Sequence, residues 1–154
     1  MGLSGIVLKK KDNVDIQKII HDIKLSAINS GLQFKMGKEL KMNEDGTYNY
    51  LTINIANTFE ENDNQQQMLL YVYNSSEDDY TDEFDWILNE GKLIQVINIE
   101  DFHDCEKILL DFLYEYICLN PEDIFWDELN WFYKYDDLIQ IHNQSFDKEW
   151  CYKK

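Results

Sequence analysis

The sequence has no arginine, a single proline, and no apolar run long enough to cross a membrane. A membrane helix needs about 18 or more uninterrupted apolar residues. The N-terminus places its lysines after a short apolar run, which is the reverse of the order in a signal peptide. We therefore expect a soluble, cytoplasmic protein.

Cysteine is scarce as well, since Cys105, Cys118 and Cys151 are separated by long gaps and form no CxxC pair. An odd set with such spacing predicts reduced thiols and not a disulfide framework. A catalytic thiol would need a partner such as a neighbouring histidine, and no such pattern surrounds these cysteines. We expect Cys105 and Cys118 to lie in the core or on the flank of one helix.

Negative charge is the most abundant feature of the chain. The chain has 30 acidic residues and 14 lysines, which gives a formal net charge of −16. The excess lies in residues 43–137, where 24 acids accompany three lysines. This block will repel nucleic acid and anionic membranes, and it will attract basic proteins. A solvated surface that only maintains solubility is the alternative, while the 14% aromatic content argues against disorder.

Hydrophobic periodicity predicts one helix and a three-stranded meander in the N-terminal half. Apolar residues at helical spacing favour a helix over Val14–Ser30, capped by Asp12 or Asn13 and ended by Gly31. Alternating apolar and polar residues predict strands over residues 32–42, 48–55 and 68–73, with the turn Asn43-Glu44-Asp45-Gly46 between the first two. A further short strand is expected at Ile6–Leu8.

The C-terminal half is predicted to add a strand, a long helix and an aromatic region. Leu93–Ile99 is β-branched and suits a strand, and Asp101 is placed to cap a helix that Pro121 ends. Lesser elements are a helix between Thr81 and Gly91, a strand within 131–135 and a helix opened by Asp136-Asp137. The prediction is an α+β fold, a mostly antiparallel sheet of four to five strands packed against two main helices, in a single domain over residues 1–154.

Motifs of the common enzyme classes are missing from the sequence. It has no GxGxxG, GxxxxGK[ST], GxSxG or HExxH pattern. His21, His103 and His142 lie far apart and share no metal-ligand spacing with the cysteines. The pairs Asp78-Asp79 and Asp136-Asp137 do not match a calcium loop. We therefore expect no catalytic residues, no metal and no cofactor.

Two segments combine carboxylates with large aromatic residues, as protein-binding surfaces do. Acids steer and pair with a basic partner, while tryptophan supplies rigid contact area. Within the same segments Phe125 and Phe132 are expected in the core, and a core position for Trp126 or Trp131 stays open. The predicted partner-binding residues are Asp78, Asp79, Asp82, Glu83, Asp85 and Trp86 in the first segment, and Glu122, Asp123, Trp126, Asp127, Glu128 and Trp131 in the second.

The C-terminal quarter also resembles a known class of proteins. Asn120-Pro121-Glu122-Asp123, Phe125-Trp126-Asp127-Glu128 and Asn130-Trp131-Phe132-Tyr133 follow a Leu-Tyr-Glu-Tyr helix. This tryptophan-rich sequence pattern is similar to that of small bacterial immunity proteins of contact-dependent growth inhibition and other polymorphic toxin systems. The resemblance implies a compact α+β protein that binds and blocks its own toxin domain, often a nuclease, and it brings no catalytic residues.

Charge and resemblance point to the same function. A nuclease domain is basic because it must hold a phosphate backbone. The sequence therefore predicts an immunity protein, not an enzyme, that neutralises a cognate basic toxin domain through an acidic surface studded with aromatic residues. The alternatives are a general protein-interaction or adaptor module and, less favoured, a metal hydrolase that uses clustered carboxylates.

Overall fold

Strands and helices alternate irregularly along the chain, as in other α+β proteins. The computed structural model describes residues 4–73, 93–100, 102–127 and 131–152. Its elements are β1 (Gly5–Lys10), a 3-10 turn (Lys11–Asn13), α1 (Ile16–Asn29), β2 (Gln33–Met42), β3 (Tyr48–Ala56), β4 (Gln67–Tyr73), β5 (Leu93–Glu100), α2 (Glu106–Leu119), β6 (Ile124–Trp126), β7 (Phe132–Tyr133) and α3 (Tyr135–Asn143).

The strands form one antiparallel sheet in the order β2-β3-β4-β5-β1-β6-β7. The predicted meander is confirmed as β2-β3-β4, and the α+β class with an antiparallel sheet is confirmed with it. The predicted number of elements was too low, because the described residues hold seven strands and three α-helices. The strand Ile124–Trp126 was not predicted, since three residues are too few to show an alternating pattern.

The inner face of the sheet packs against the helices. Alternate side chains of the central strands, such as Ile53 on β3, Leu70 on β4 and Ile97 on β5, are fully buried there. They join α1 and α2 in one core, to which Ile23 and Phe112 contribute. A first helix within the predicted range Val14–Ser30 and a long helix that ends before Pro121 are thus present, with their apolar stripes facing this core.

The outer face carries a second, smaller apolar cluster on the other half of the sheet. Ile6 and Leu8 of β1, Leu93 of β5 and Ile124 of β6 are buried there. The register explains the division, because neighbours along a strand point to opposite faces. Ile6 pairs with Trp126, whereas the inward Val7 pairs with Phe125.

The first helix begins later than predicted and ends where predicted. Its N-cap is Asp15, whose carboxylate accepts the backbone N–H of Gln17 at 3.1 Å, while Asp12 and Asn13 belong to the preceding 3-10 turn. At the other end Gly31 has a φ of 75°. Leu32 N–H donates to the Ala27 carbonyl at 2.8 Å, which closes a Schellman motif that needs a residue tolerant of positive φ.

The second helix begins at Glu106, with Cys105 at the N-cap position, and not near Asp101. The intervening Asp104 adopts a φ of 64°, which breaks any helical run from the preceding residues. Asp101 itself and the predicted helix between Thr81 and Gly91 lie outside the described residues. Among the helices described, none has the length and apolar character that crossing a bilayer requires.

Candidate functional site

The acidic and aromatic segment from Glu122 to Trp131 does not form one face. Trp126 lies on the outer face, where its ring stacks on Phe132 at 5.7 Å and 8°. Trp131 instead packs against the core on the inner side. The two tryptophans, five residues apart in sequence, thus lie on opposite sides of the sheet. Glu128 lies outside the described residues.

Asp123 and Asp127 are buried within the fold. Their exposed fractions are 3% and 2%. Asp127 shapes the connection between β6 and β7, where its carboxylate accepts the backbone N–H of Trp131 at 3.3 Å. The sequence analysis placed both acids on a partner-binding surface, whereas each carboxylate is engaged inside the fold. Phe125, expected in the core, is 1% exposed.

Asp123 belongs to a buried ionic network that joins β1, α1 and α2. The Lys9 ammonium lies 3.0 Å from the Asp123 carboxylate and donates to Asn120 Oδ1 at the same distance. The Tyr116 hydroxyl donates to Asp123 Oδ2 at 2.9 Å. Asn120 extends the network by donating from Nδ2 to Asp22 at 3.2 Å. Lys9 reaches this site because it is on the inner face of β1, beside Val7 and the core.

Burial is the largest influence on the pKa values of Asp123 and Tyr116, and the charges inside the network come second. Burial raises the pKa of Asp123 above its ordinary value, and the Lys9 ammonium opposes this by favouring the charged carboxylate. Burial, followed by the neighbouring Asp123 charge, raises the pKa of Tyr116 well above its usual range. The groups are hydrogen-bonded to one another, so the network ties three elements of the fold together.

Glu122 is the one acid of this segment that the structure describes as exposed. Its carboxylate accepts the Asn13 amide at 3.1 Å and lies 3.5 Å from Lys10. A side chain with 60% exposure remains available for a partner, although its ion pair with Lys10 neutralises part of its charge. The first predicted segment, with Asp78, Asp79, Asp82, Glu83, Asp85 and Trp86, lies outside the described residues.

The structure assembles a different acidic surface at one end of the sheet. Three chain segments meet there: the β3–β4 loop, the residues before α2 and the C-terminal tail. Gln66 donates to the Asp104 carbonyl at 2.6 Å, and Lys148 lies 3.1 Å from the Asp104 carboxylate. We name the exposed carboxylates of these segments the acidic loop surface: Glu60, Glu61, Asp63, Glu100, Asp104, Asp147 and Glu149.

A buried glutamate joins two of these segments, the residues before α2 and the C-terminal tail. Glu106 is 2% exposed and its carboxylate accepts the Tyr152 hydroxyl at 2.6 Å and the Asp104 N–H at 3.0 Å. The Glu106 carbonyl also accepts the indole N–H of Trp150 at 2.9 Å. These bonds fix the C-terminal tail against α2. A groove of about 620 Å³ lies beside them, between Asp63, Asp104 and the exposed Phe146.

Tyrosines give the outer face of the sheet a further contact surface. Tyr50 lies 5.7 Å from Tyr73 and 6.2 Å from Tyr71, ring centre to ring centre, and all three are half-buried. The Tyr50 hydroxyl donates to Glu39 at 3.2 Å. Burial and the Glu39 carboxylate raise the pKa of Tyr50 to about 12, so its phenol stays protonated and able to donate. Tyrosine is favoured at protein interfaces because its ring is large and carries a polar tip.

The sequence prediction missed both the acidic loop surface and the tyrosine cluster. Glu60, Glu61 and Asp63 were visible only as part of a polar loop, and Asp104 and Asp147 are far apart in the chain. Their proximity depends on strand order, which a single sequence does not show. The tyrosine alternation in β3 and β4 was visible, and pairing of Tyr50 with Tyr73 follows from the register.

The part of the chain that the structure describes contains no preassembled metal site, and its buried thiols are poorly placed to react. In those residues no group of three or more His, Cys, Asp or Glu side chains is arranged to hold a metal ion. The three cysteines are free thiols, with Cys105 and Cys151 buried and Cys118 exposed. Burial, followed by the nearby Glu106 charge, raises the pKa of Cys151 to about 12, which disfavours its reactive thiolate.

Comparisons of the chain with protein-family models, with curated proteins and with solved structures found no match.

Proposed function

We propose that this chain is an immunity protein that binds and neutralises a basic, nuclease-like toxin domain, and that it acts by binding and not by catalysis. The observation that carries the proposal is the acidic loop surface. Seven exposed carboxylates from three separate segments occupy one end of the sheet, and the chain as a whole has a net charge of −16. A basic cleft that holds nucleic acid is the electrostatic complement of such a surface.

Rigidity of this surface supports the proposal further. The hydrogen bonds of Glu106 with Tyr152, Asp104 and Trp150 hold the tail and the preceding loop in place before a partner arrives. Preorganised contacts lose less conformational entropy on binding, so more of the interaction energy appears as affinity. The resemblance of the C-terminal quarter to immunity proteins agrees with a binding function.

The test is to mix the protein with the toxin domain encoded directly upstream of its gene. Calorimetry at ~0.1 M salt should detect a complex, and the association rate should fall steeply as salt increases. Nuclease activity of the toxin domain should fall in proportion to the complex formed. No complex at that salt concentration would contradict the proposal.

Matched charge reversals locate the contact. Glu60→Lys/Glu61→Lys changes the acidic loop surface, and Asp12→Lys/Glu44→Lys makes the same charge change on exposed residues elsewhere. The first variant should slow association by about tenfold more than the second, since local charge at the contact matters more than net charge. Equal slowing by both variants would remove the acidic loop surface from the interface.

A further inference from the structure

The sheet ends on one side in a long strand. Strand β2 spans ten residues, Gln33–Met42, and β3 is its only strand neighbour in the part of the chain that the structure describes. The strand at the opposite edge, β7, has two residues. An edge strand leaves alternate backbone N–H and C=O groups without a strand partner, so it can accept a further strand. Its length makes β2 the edge on which such an addition is feasible.

Two apolar side chains near the end of β2 are exposed to solvent. Leu40 is 45% exposed and Met42 is 53% exposed. Leu40 pairs with Leu51 of β3, which is fully buried on the inner face, and Met42 pairs with Tyr48, which packs against the same core. The helices therefore cover the inner face as far as β3 and leave it exposed at Leu40 and Met42. A strand added beside β2 would bury both side chains against its own apolar residues.

Two lysines lie beside these apolar residues. Lys41 pairs with Tyr50 on the outer face, and Lys38 lies in a bulge where residues 37–39 stand opposite Thr52. Both side chains are exposed, and neither ammonium group makes an ion pair or a hydrogen bond with another described residue. Both ammonium groups are therefore available to a partner.

The acidic residues closest in the hairpin are mostly engaged within it. The Glu39 carboxylate accepts the Tyr50 hydroxyl at 3.2 Å, and the Asp45 carboxylate accepts the backbone N–H and the hydroxyl of Thr47. Glu44 lies further along the chain, in the turn. The end of β2 thus presents two lysines that no described carboxylate contacts, in a chain whose net charge is −16.

Lysines and a bulge can also protect an edge strand from pairing with a second copy of itself, because like charges repel. Protection alone gives no reason for the exposed Leu40 and Met42. An acidic strand would be attracted by the lysines and would bury the apolar side chains. We propose that residues 38–42 bind an extended, acidic segment of a protein partner by strand addition, with carboxylates at Lys38 and Lys41 and apolar side chains on Leu40 and Met42. This surface is opposite in charge to the acidic loop surface and does not depend on the proposed function.

The first experiment uses the full chain and a blocked hexapeptide of alternating glutamate and valine as the probe. The amide signals of β2 are followed by NMR during the titration, and their hydrogen exchange is measured with and without the peptide. The acidic peptide should bind at least about tenfold more tightly than its lysine–valine counterpart. It should also slow amide exchange within residues 38–42. Equal binding of the two peptides, or no binding of the acidic one, overturns the proposal.

A glutamate–valine peptide that is N-methylated at every residue separates strand addition from attraction by charge alone. It keeps the side chains and loses the backbone N–H donors that an antiparallel or parallel ladder needs. The N-methylated peptide should bind at least about tenfold more weakly than the unmodified peptide. Equal binding of these two peptides overturns strand addition.

Lys38→Gln/Lys41→Gln tests the charged part of the site. Its matched control, Lys24→Gln/Lys107→Gln, makes the same charge change on exposed residues of α1 and α2. The first variant should weaken binding of the acidic peptide about tenfold and the control less than about twofold, because exposed charges act mainly at short range. Equal effects of the two variants, or no effect of either, overturn the proposal.

Leu40→Ser/Met42→Ser tests the apolar part of the site and the possibility that a second copy occupies it. The variant should weaken binding of the acidic peptide about tenfold and keep the circular dichroism spectrum of the parent, because both side chains are exposed. Unchanged affinity in the folded variant overturns the proposal. Sedimentation without peptide should show a monomer. A concentration-dependent dimer that this variant abolishes would assign the edge to a second copy and overturn the proposal.

Discussion

Removal of the Lys9 ammonium should destabilise the protein in a way that depends strongly on pH. Lys9 and Asp123 are 5% and 3% exposed, and their charged groups lie 3.0 Å apart. Lys9→Met keeps an unbranched apolar stem in place of the lysine and removes the charge. The Asp123 carboxylate then keeps the Tyr116 hydroxyl as a donor but has no cation in contact.

The magnitude follows from what the variant leaves behind. Removal of one partner from a buried ion pair costs about 3–5 kcal/mol, and the retained Tyr116 bond places the loss at pH 7 near the lower limit of about 3 kcal/mol. Burial already raises the pKa of Asp123 above 3.8, and loss of Lys9 raises it further because Lys9 is the largest influence that lowers it. The folded variant therefore binds a proton more tightly than the unfolded chain.

The sign of the pH dependence follows by linkage. Between the ordinary pKa of 3.8 and the raised pKa of the folded state, the folded protein holds more protons, so stability decreases as pH rises through that window. Below the window Asp123 is neutral in both states, and the variant should lose only about 1 kcal/mol for the missing hydrogen bonds. The difference between Lys9→Met and the parent should thus grow by about 2 kcal/mol from pH 4 to pH 7.

Urea unfolding followed by tryptophan fluorescence at both pH values measures this difference. Lys24→Met is the control, because Lys24 is an exposed lysine of α1 and should change stability by less than about 0.5 kcal/mol. Lys9→Met/Asp123→Asn should recover about 1–2 kcal/mol at pH 7, since it replaces the isolated charge with a neutral acceptor. A loss below about 1 kcal/mol at pH 7, or one that is equal at both pH values, would refute the assignment of a buried charge pair.

Two further outcomes follow from burial. Under native conditions at pH 8, Ellman's reagent should modify one thiol of the three, Cys118, because the other two are buried. In urea, Cys105 and Cys151 should react as well. Rapid modification of more than one thiol in the native protein would contradict the burial of Cys105 and Cys151. Trp126→Ala should lower the free energy of unfolding by about 3 kcal/mol, because it removes the ring that stacks on Phe132 and packs on the outer apolar cluster. If that variant instead kept full stability and lost toxin binding, Trp126 would be a contact residue.

The acidic residues of this chain fall into two groups that differ in burial. One group stabilises the fold, and the other forms the exposed acidic loop surface. Asp22, Glu106, Asp123 and Asp127 are buried and hydrogen-bonded within the fold. The carboxylates of the acidic loop surface are exposed and belong to three segments, which the bonds of Glu106 and the bond from Gln66 to Asp104 join. Mutations of the first kind should act through stability, and mutations of the second kind through association rate. A binding study of this protein therefore needs a stability measurement for each variant.

Local elements of the fold could be predicted from the sequence because their causes are local. Apolar spacing in residues 14–30 determines the first helix, Gly31 its end, and alternation across Asp45-Gly46 the first hairpin. The net charge and the expectation of a negatively charged surface also needed no structure. The helix caps were less accurate, since Asp12, Asn13 and Asp15 are all good N-cap residues and the choice depends on how the chain leaves β1.

The tertiary structure alone decided which acids and aromatics share a surface. Glu122, Asp123, Trp126, Asp127 and Trp131 are close in sequence, yet the pleat of β6 and the β6–β7 turn send them to opposite faces or into the core. Asp63, Asp104 and Asp147 are distant in sequence, yet strand order and the bonds of Glu106 bring them to one end of the sheet. A helix or a strand depends on the spacing of residues close together in the chain, which the sequence shows. A surface depends on which distant segments pair in the sheet, which only the tertiary structure shows.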